Sequence, residues 1–120
     1  MTHIPVYHRF LKSIQYAVRG LRTAWGEYNF RVQVVVAACA MGLAAVLRIS
    51  RMEWLVLILV SILVLVLELL NTIFEQLTDF FSPRFSETAR AVKDLMAGAV
   101  LVASIGAVAV GAFIFLPHGA

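Results

Sequence analysis

Charged and reactive side chains are scarce in this sequence. Only 14% of its 120 residues are charged, and the single cysteine, Cys39, lies in an apolar run. One cysteine excludes a disulfide framework and a cysteine-based metal site. The histidines, His3, His8 and His118, lie near the termini without clustering, and we assign them no role. The sequence also lacks a glycine-rich phosphate loop, so any nucleotide site would be unconventional.

Apolar residues make up 62% of the chain. This composition lies far outside that of soluble domains and predicts a small integral membrane protein, with residues 1–120 forming one domain. The N-terminal stretch has no apolar core followed by a small-residue cleavage site, so we expect no signal peptide to be removed.

The hydropathy pattern predicts an all-α fold. Residues 8–25 carry apolar side chains on one face and basic or polar ones on the rest, which is typical of an amphipathic helix lying on a membrane surface. Residues 80–93 form the main polar connection, in which Ser82-Pro83 breaks one helix and Ser86 can start the next. The predicted transmembrane helices cover residues 30–49, 54–79 and 94–116.

The distribution of lysine and arginine predicts the orientation. The N-terminal segment and the 80–93 connection together carry eight of these residues, whereas the 48–53 loop and the C-terminal tail together carry two. By the positive-inside rule we expect the N-terminus and the 80–93 connection to face the cytoplasm.

A stripe of polar residues follows the long apolar run of the second predicted span. Glu68, Asn71, Glu75 and Asp79 fall within about 80° of one another on a helix. If the span begins at Trp54, Glu68 lies about 21 Å along it, still inside a hydrocarbon core of about 30 Å. Acids at such depth usually mark function. The alternative is a helix that leaves the membrane one turn earlier, with its acids solvated.

The residues alone leave several functions open. Carboxylates at a water boundary can hold Mg²⁺ and nucleotide phosphates, and a deeper carboxylate can accept a proton from a lipid hydroxyl, which suits a lipid kinase. A proton-coupled transporter can also use an intramembrane glutamate. A non-catalytic membrane scaffold is a third possibility, but it would not require the acidic stripe.

The stripe and the sequence after it resemble a known signature. Glu68-Leu-Leu-Asn71-Thr-Ile-Phe-Glu75-Gln-Leu-Thr-Asp79, then Lys93-Asp94 and Ala97-Gly98-Ala99-Val100-Leu101, is similar to the bacterial diacylglycerol kinase and undecaprenol kinase family. The resemblance covers about residues 8–116. It implies a homotrimeric enzyme of the bacterial inner membrane that phosphorylates a lipid alcohol with MgATP, at sites built between subunits, without a nucleic-acid partner.

The resemblance also implies roles for individual residues. Glu68 matches the general base, which also meets the substrate, and Asn71 matches the asparagine beside the reacting centre. Glu27 and Glu75 match the acids that bind the nucleotide-associated Mg²⁺. The remaining nucleotide positions are Arg9, Tyr16, Asp79, Ser86, Lys93 and Asp94. The positions along which lipid enters are Arg22, Trp25 and Arg31.

Two positions depart from the family pattern. Ser86 stands where many members have a histidine, which puts that nucleotide contact in doubt, and Gln33 stands where some members have an acid or a histidine. The segments 27–31 and 49–55 look more like the undecaprenol kinase branch, so the lipid substrate stays open between diacylglycerol and undecaprenol.

Overall fold

The structure is a computed structural model that describes residue 3, residues 5–81 and residues 86–119. Within those ranges the chain forms α1 (Val6–Trp25), α2 (Tyr28–Leu47), α3 (Arg51–Phe81) and α4 (Glu87–Gly119). The helices α2, α3 and α4 are long and apolar enough to cross a membrane. The predicted all-α fold with three membrane helices is therefore confirmed. Ser82-Pro83, where a helix break is predicted, and Arg84, one of the basic residues counted for the orientation, lie outside the described residues.

The turn between α1 and α2 is shorter than the sequence pattern indicated. The backbone N–H groups of Gly26 and Glu27 donate to Thr23 and Ala24 carbonyl oxygens at 3.1 and 2.9 Å, which closes the last turn of α1. The next helix begins at Tyr28, so Glu27 is its N-cap residue. Almost all of α1 is exposed in the single chain, and only Ala24 is buried.

The link between α2 and α3 is only three residues long. Arg48 adopts a left-handed conformation with φ 54°, the usual way to end an α-helix, and Ile49 then packs into the core. Ser50 and Glu53 form a reciprocal pair, because Ser50 Oγ accepts from the Glu53 N–H at 3.2 Å and Glu53 Oε1 accepts from the Ser50 N–H at 2.9 Å. This capping box starts α3 at Arg51, three residues before the predicted start.

The fourth helix begins directly after Ser86, the residue that the sequence offers as its start. Ser86 Oγ accepts a hydrogen bond from the Ala89 N–H at 3.0 Å, the pattern of an N-cap, and α4 runs from Glu87 through the predicted span of residues 94–116. Most of the expected polar connection is therefore helical. Pro117 lies inside the last turn of α4, and because it has no N–H the backbone hydrogen bond to the carbonyl oxygen four residues earlier is missing there.

The packed core lies at one end of the bundle. It consists of Ala44 and Ile49 at the end of α2, Leu57 near the start of α3 and Ile114 near the end of α4. The same end is closed by a pair between His118 Nε2 and Glu53 Oε1 at 2.9 Å. The histidine was assigned no role from the sequence.

The single chain is not compact. Its radius of gyration is 18.3 Å, against about 13.6 Å expected for a compact soluble chain of this length. Large apolar side chains are exposed along all four helices. Such a surface requires lipid, further subunits or both to cover it.

Candidate active site

One face of α3 carries both the core and the predicted reactive residues. The buried positions of the helix are Leu57, Val64, Glu68 and Asn71. Their spacing of seven, four and three residues places them on one stripe, which is the stripe that packs inside the bundle. Glu68 is only 5% exposed and Asn71 only 8% exposed. The sequence left open that all acids of the stripe are solvated, and the burial of Glu68 contradicts that alternative.

Asn71 connects the buried part of the stripe with its exposed part. Its Nδ2 donates to Glu75 Oε1 at 3.2 Å. Its Oδ1 is buried and has no hydrogen-bond partner among the described residues. A buried carbonyl oxygen without a partner is costly, so this oxygen is an acceptor that a donor from outside the described residues can satisfy.

Glu75 and Asp79 continue the stripe beyond the packed region and are exposed. Lys93 Nζ of α4 contacts Asp79 Oδ1 at 2.5 Å, so this pair joins the ends of α3 and α4. Asp94 lies next in sequence and is exposed. The structure thus brings Asp79 and Lys93 together as an ion pair between two helices.

The predicted residues of α1, of the α1–α2 turn and of the start of α2 make no polar side-chain contact with the stripe in the single chain. These exposed residues are Arg9, Tyr16, Arg22, Trp25, Glu27 and Arg31. Within the part of the chain that the structure describes, none of them forms a side-chain hydrogen bond or ion pair with α3. The guanidinium carbon of Arg19 lies 5.8 Å from the centre of the exposed Tyr16 ring, a contact within α1.

A groove of about 320 Å³ runs between α1 and α3. Most of its wall is apolar, and its α3 side is formed by residues that lie, on average, about a quarter turn around the helix from Glu68. Its lining residues are Gly20, Leu21, Thr23, Ala24, Leu69, Thr72, Ile73 and Gln76. An apolar groove of this kind can seat part of a lipid along the face of α3 next to the one that carries Glu68.

The donor set of the stripe fits Mg²⁺, which prefers carboxylate oxygens and usually keeps several waters or phosphate oxygens. Glu75 is exposed, and only its Oε1 accepts a hydrogen bond from Asn71. Glu27 is exposed and makes no side-chain capping bond at the start of α2. No group of three or more candidate metal-binding side chains occurs among the residues described. A magnesium ion bound here would therefore need further oxygen donors besides these carboxylates, such as phosphate groups or water.

A polar contact between α2 and α4 was not expected from the sequence. Gln33 Nε2 of α2 donates to Ser104 Oγ of α4 at 3.3 Å. Gln33 was noted only as a departure from a family pattern, and Ser104 was not singled out. The available signal was that Ser104 is an isolated polar residue in an apolar span, since such residues tend to pair across helices.

The chain is similar to several known proteins. It matches the family model described as prokaryotic diacylglycerol kinase over residues 15–115. It is 35% identical to the undecaprenol kinase of Bacillus subtilis over 116 residues, which are 96% of this chain and 94% of that protein. It is 38% identical to the diacylglycerol kinase of Synechocystis over 109 residues, 89% of this chain and 62% of that protein. It is 31% identical to the diacylglycerol kinase of Escherichia coli over 113 residues, 93% of each chain.

Proposed function

The chain belongs to the prokaryotic diacylglycerol kinase family, and we propose that it transfers the γ-phosphate of ATP to the hydroxyl group of a membrane lipid, either diacylglycerol or undecaprenol. Membership of a family of lipid kinases makes it a membrane phosphotransferase. The observation that supports the proposal best is the buried Glu68 beside Asn71, on a stripe that continues to exposed Glu75 and Asp79. A proton-coupled transporter is not favoured, because the relatives are named as kinases.

Glu68 is the proposed general base. The lipid hydroxyl, brought along the groove between α1 and α3, loses its proton to the Glu68 carboxylate. The lipid oxygen then bonds to the γ-phosphorus, the bond from that phosphorus to the β–γ bridging oxygen breaks, and ADP leaves. Because phosphoryl transfer needs positioning and charge neutralisation more than covalent help, few protein groups are required. The unpartnered Asn71 Oδ1 can accept a hydrogen bond from a reactant.

The nucleotide is proposed to lie at the exposed end of the stripe. Glu75 and Glu27 would hold the Mg²⁺ that accompanies ATP, and the ion would neutralise phosphate charge when bound. Lys93, which is positioned by Asp79, would contact phosphate oxygens, with Asp94 next to it. The further nucleotide contacts proposed are Arg9, Tyr16 and Ser86, of which Ser86 also caps α4.

The lipid is proposed to approach along the exposed side of α1 and the start of α2. Arg22, Trp25 and Arg31 are all exposed there. A tryptophan and basic side chains are suited to the headgroup level of a membrane. We therefore expect α1 to lie on the membrane surface and to guide the lipid headgroup toward Glu68.

The protein is proposed to be a homotrimer in the bacterial cytoplasmic membrane with its N-terminus in the cytoplasm. The uncovered apolar surface supports sites shared between subunits, as does the lack of a side-chain hydrogen bond between Glu27 and α3 among the described residues.

A reporter fused to the C-terminus tests the orientation. It should lie outside the cytoplasm, because three spans place the two termini on opposite sides. A cytoplasmic C-terminus would contradict the orientation.

The proposed activity is tested with purified protein in lipid–detergent micelles. The protein is incubated with MgATP labelled at the γ-phosphate and with diacylglycerol or undecaprenol in parallel. We expect label in at least one lipid, and the ratio of the two kcat/KM values identifies the preferred alcohol. Absence of labelled lipid from both alcohols, in protein that still elutes as a folded species, would refute the proposed function.

A further inference from the structure

The end of α4 is joined to the start of α3 by one pair of side chains. Nε2 of His118 lies 2.9 Å from Oε1 and 3.1 Å from Oε2 of Glu53. An ionised carboxylate only accepts hydrogen bonds, so the hydrogen in this contact belongs to the ring and His118 Nε2 donates. The side chains of His118 and Glu53 are 33% and 27% exposed, so water and protons reach the pair.

The pair connects a weak helix end to a well-anchored one. Pro117 has no N–H, so the last turn of α4 lacks one backbone hydrogen bond, and Ile114 is the last buried residue before it. Glu53 is held firmly, because its Oε1 accepts from the Ser50 N–H at 2.9 Å and its own N–H donates to Ser50 Oγ at 3.2 Å. The last turn of α4 is therefore fastened to the capped start of α3 by His118.

The strength of this contact depends on the charge of the imidazole. A neutral imidazole has one N–H, which can be on either ring nitrogen, whereas an imidazolium ion has both and carries a positive charge. The protonated ring therefore always presents a donor and an opposite charge to the carboxylate. The other charged residues at this end of the bundle are Arg48 and Arg51, and neither forms an ion pair with Glu53 among the described residues. Because arginine stays protonated, His118 is the group here whose charge changes near neutral pH.

We propose that His118 and Glu53 form a pH-sensitive latch that holds the end of α4 against the start of α3. The latch is closed when the imidazole is protonated and the carboxylate is ionised. An ordinary imidazole titrates at about pH 6.5 and an ordinary glutamate at about pH 4.3. The contribution of the latch to stability is thus present at about pH 5 to 6 and is lost as the pH rises toward about 8. In the predicted orientation this end lies outside the cytoplasm, so the latch responds to the external pH.

The test is a double-mutant cycle measured at about pH 5.5 and at about pH 8. Wild type, His118→Gln, Glu53→Gln and the double variant are held in detergent at constant temperature, and the half-life of the folded species is followed by size-exclusion chromatography. Glutamine also suits the third helical position of a capping box, so Glu53→Gln should fold. We expect the coupling of the two residues to lengthen the half-life about two- to fivefold at the lower pH and less than about 1.5-fold at the higher pH.

Two further variants separate the charge of the ring from other effects of pH. His118→Lys keeps a positive charge at both pH values, so its coupling to Glu53 should not change between them. His8→Gln is the matched control, since His8 is exposed and its side chain has no hydrogen-bond partner among the described residues. Its half-life should follow that of wild type at both pH values.

Two results would overturn the inference: a coupling between His118 and Glu53 that is equal at the two pH values, or no coupling at either. If Glu53→Gln does not fold, the variants of His118 decide. A lysine variant that outlasts the glutamine variant at both pH values supports the latch, and equal half-lives of the two refute it. The readout is the folded species rather than labelled lipid, so a failure of the proposed kinase activity leaves this test unaffected.

Discussion

The burial of Glu68 is determined by the face of α3 on which the residue lies. Its carboxyl group lies on the face of α3 that also buries Leu57 and Val64, so it is enclosed by protein rather than exposed to acyl chains. A carboxylate in that position is removed from bulk water, and an open groove lies along the neighbouring face of the same helix. This combination suits a group that must take a proton from a lipid hydroxyl.

The first prediction concerns Glu68 itself. Glu68→Gln keeps the shape of the side chain but removes the base, so we expect kcat to fall by about 10²- to 10⁴-fold. Binding of MgATP, measured by equilibrium titration, should be nearly unchanged. Glu68→Asp should fall between wild type and Glu68→Gln, because it keeps a carboxylate but withdraws it by one methylene. Equal activity of Glu68→Gln and wild type would exclude the proposed base.

The second prediction concerns the pair between Asp79 and Lys93. Their side chains are 65% and 41% exposed, and an exposed ion pair contributes at most about 1 kcal/mol to stability. Asp79→Asn should therefore change the free energy of unfolding by no more than about 1 kcal/mol. The KM for MgATP should rise by about fivefold, because Lys93 loses the partner that positions it. Glu87→Gln, an exposed acid without an ion-pair partner among the described residues, is the control. A large stability loss with an unchanged KM would assign the pair a structural role.

At the scale of the helices, local capping sets where each span begins. The reciprocal Ser50 and Glu53 bonds start α3, and Ser86 starts α4. Glu53 also contacts His118, so the start of α3 and the end of α4 are joined at the core end of the bundle. Specific polar contacts therefore hold these helix ends, and the hydrogen bond between Gln33 and Ser104 adds one polar contact to the apolar packing within the spans.

The third prediction tests the capping box. Ser50→Ala should lower the free energy of unfolding by about 1 kcal/mol. Its kcat should match that of wild type, because Ser50 lies about 27 Å along the helix from Glu68. Ser50→Asp, which can still cap, should keep the stability. Thermal inactivation in detergent compares the three proteins, and equal losses for alanine and aspartate would exclude the capping role.

At the scale of the whole molecule, the single chain leaves its predicted site incomplete. The stripe of α3 is formed within one chain, whereas Glu27 begins α2 and makes no side-chain contact with α3 among the described residues. The radius of gyration of 18.3 Å and the uncovered apolar surface leave room for further subunits as well as lipid around the chain. We therefore expect the magnesium ligands to come from different subunits.

The fourth prediction follows from shared sites. Glu27→Gln and Glu75→Gln proteins should each be nearly inactive, but subunits of the two mixed before assembly should recover roughly a quarter of the wild-type activity. Recovery occurs because some sites then combine the intact Glu75 of one subunit with the intact Glu27 of another. No recovery, in mixtures shown to contain both variants in one oligomer, would place both acids in the same subunit.

Much of this protein was determined by its sequence alone. The long apolar runs specify three spanning helices, because a helix satisfies its own backbone hydrogen bonds and its length must match the membrane. The 3.6-residue period likewise placed Glu68, Asn71, Glu75 and Asp79 on one face. The capping residue Ser86 also indicates the start of α4, whereas the Ser50 and Glu53 pair starts α3 ahead of the apolar run from which its span is predicted.

Only the tertiary structure decided which polar residues meet across helices. The pairs Gln33 with Ser104, Asp79 with Lys93 and Glu53 with His118 join residues that are 71, 14 and 65 positions apart. Their contacts depend on how far each helix is rotated and shifted along its neighbours. Apolar patterns fix a face to within a wide arc but leave the shift along the axis open, so these partners emerge only when the helices are packed.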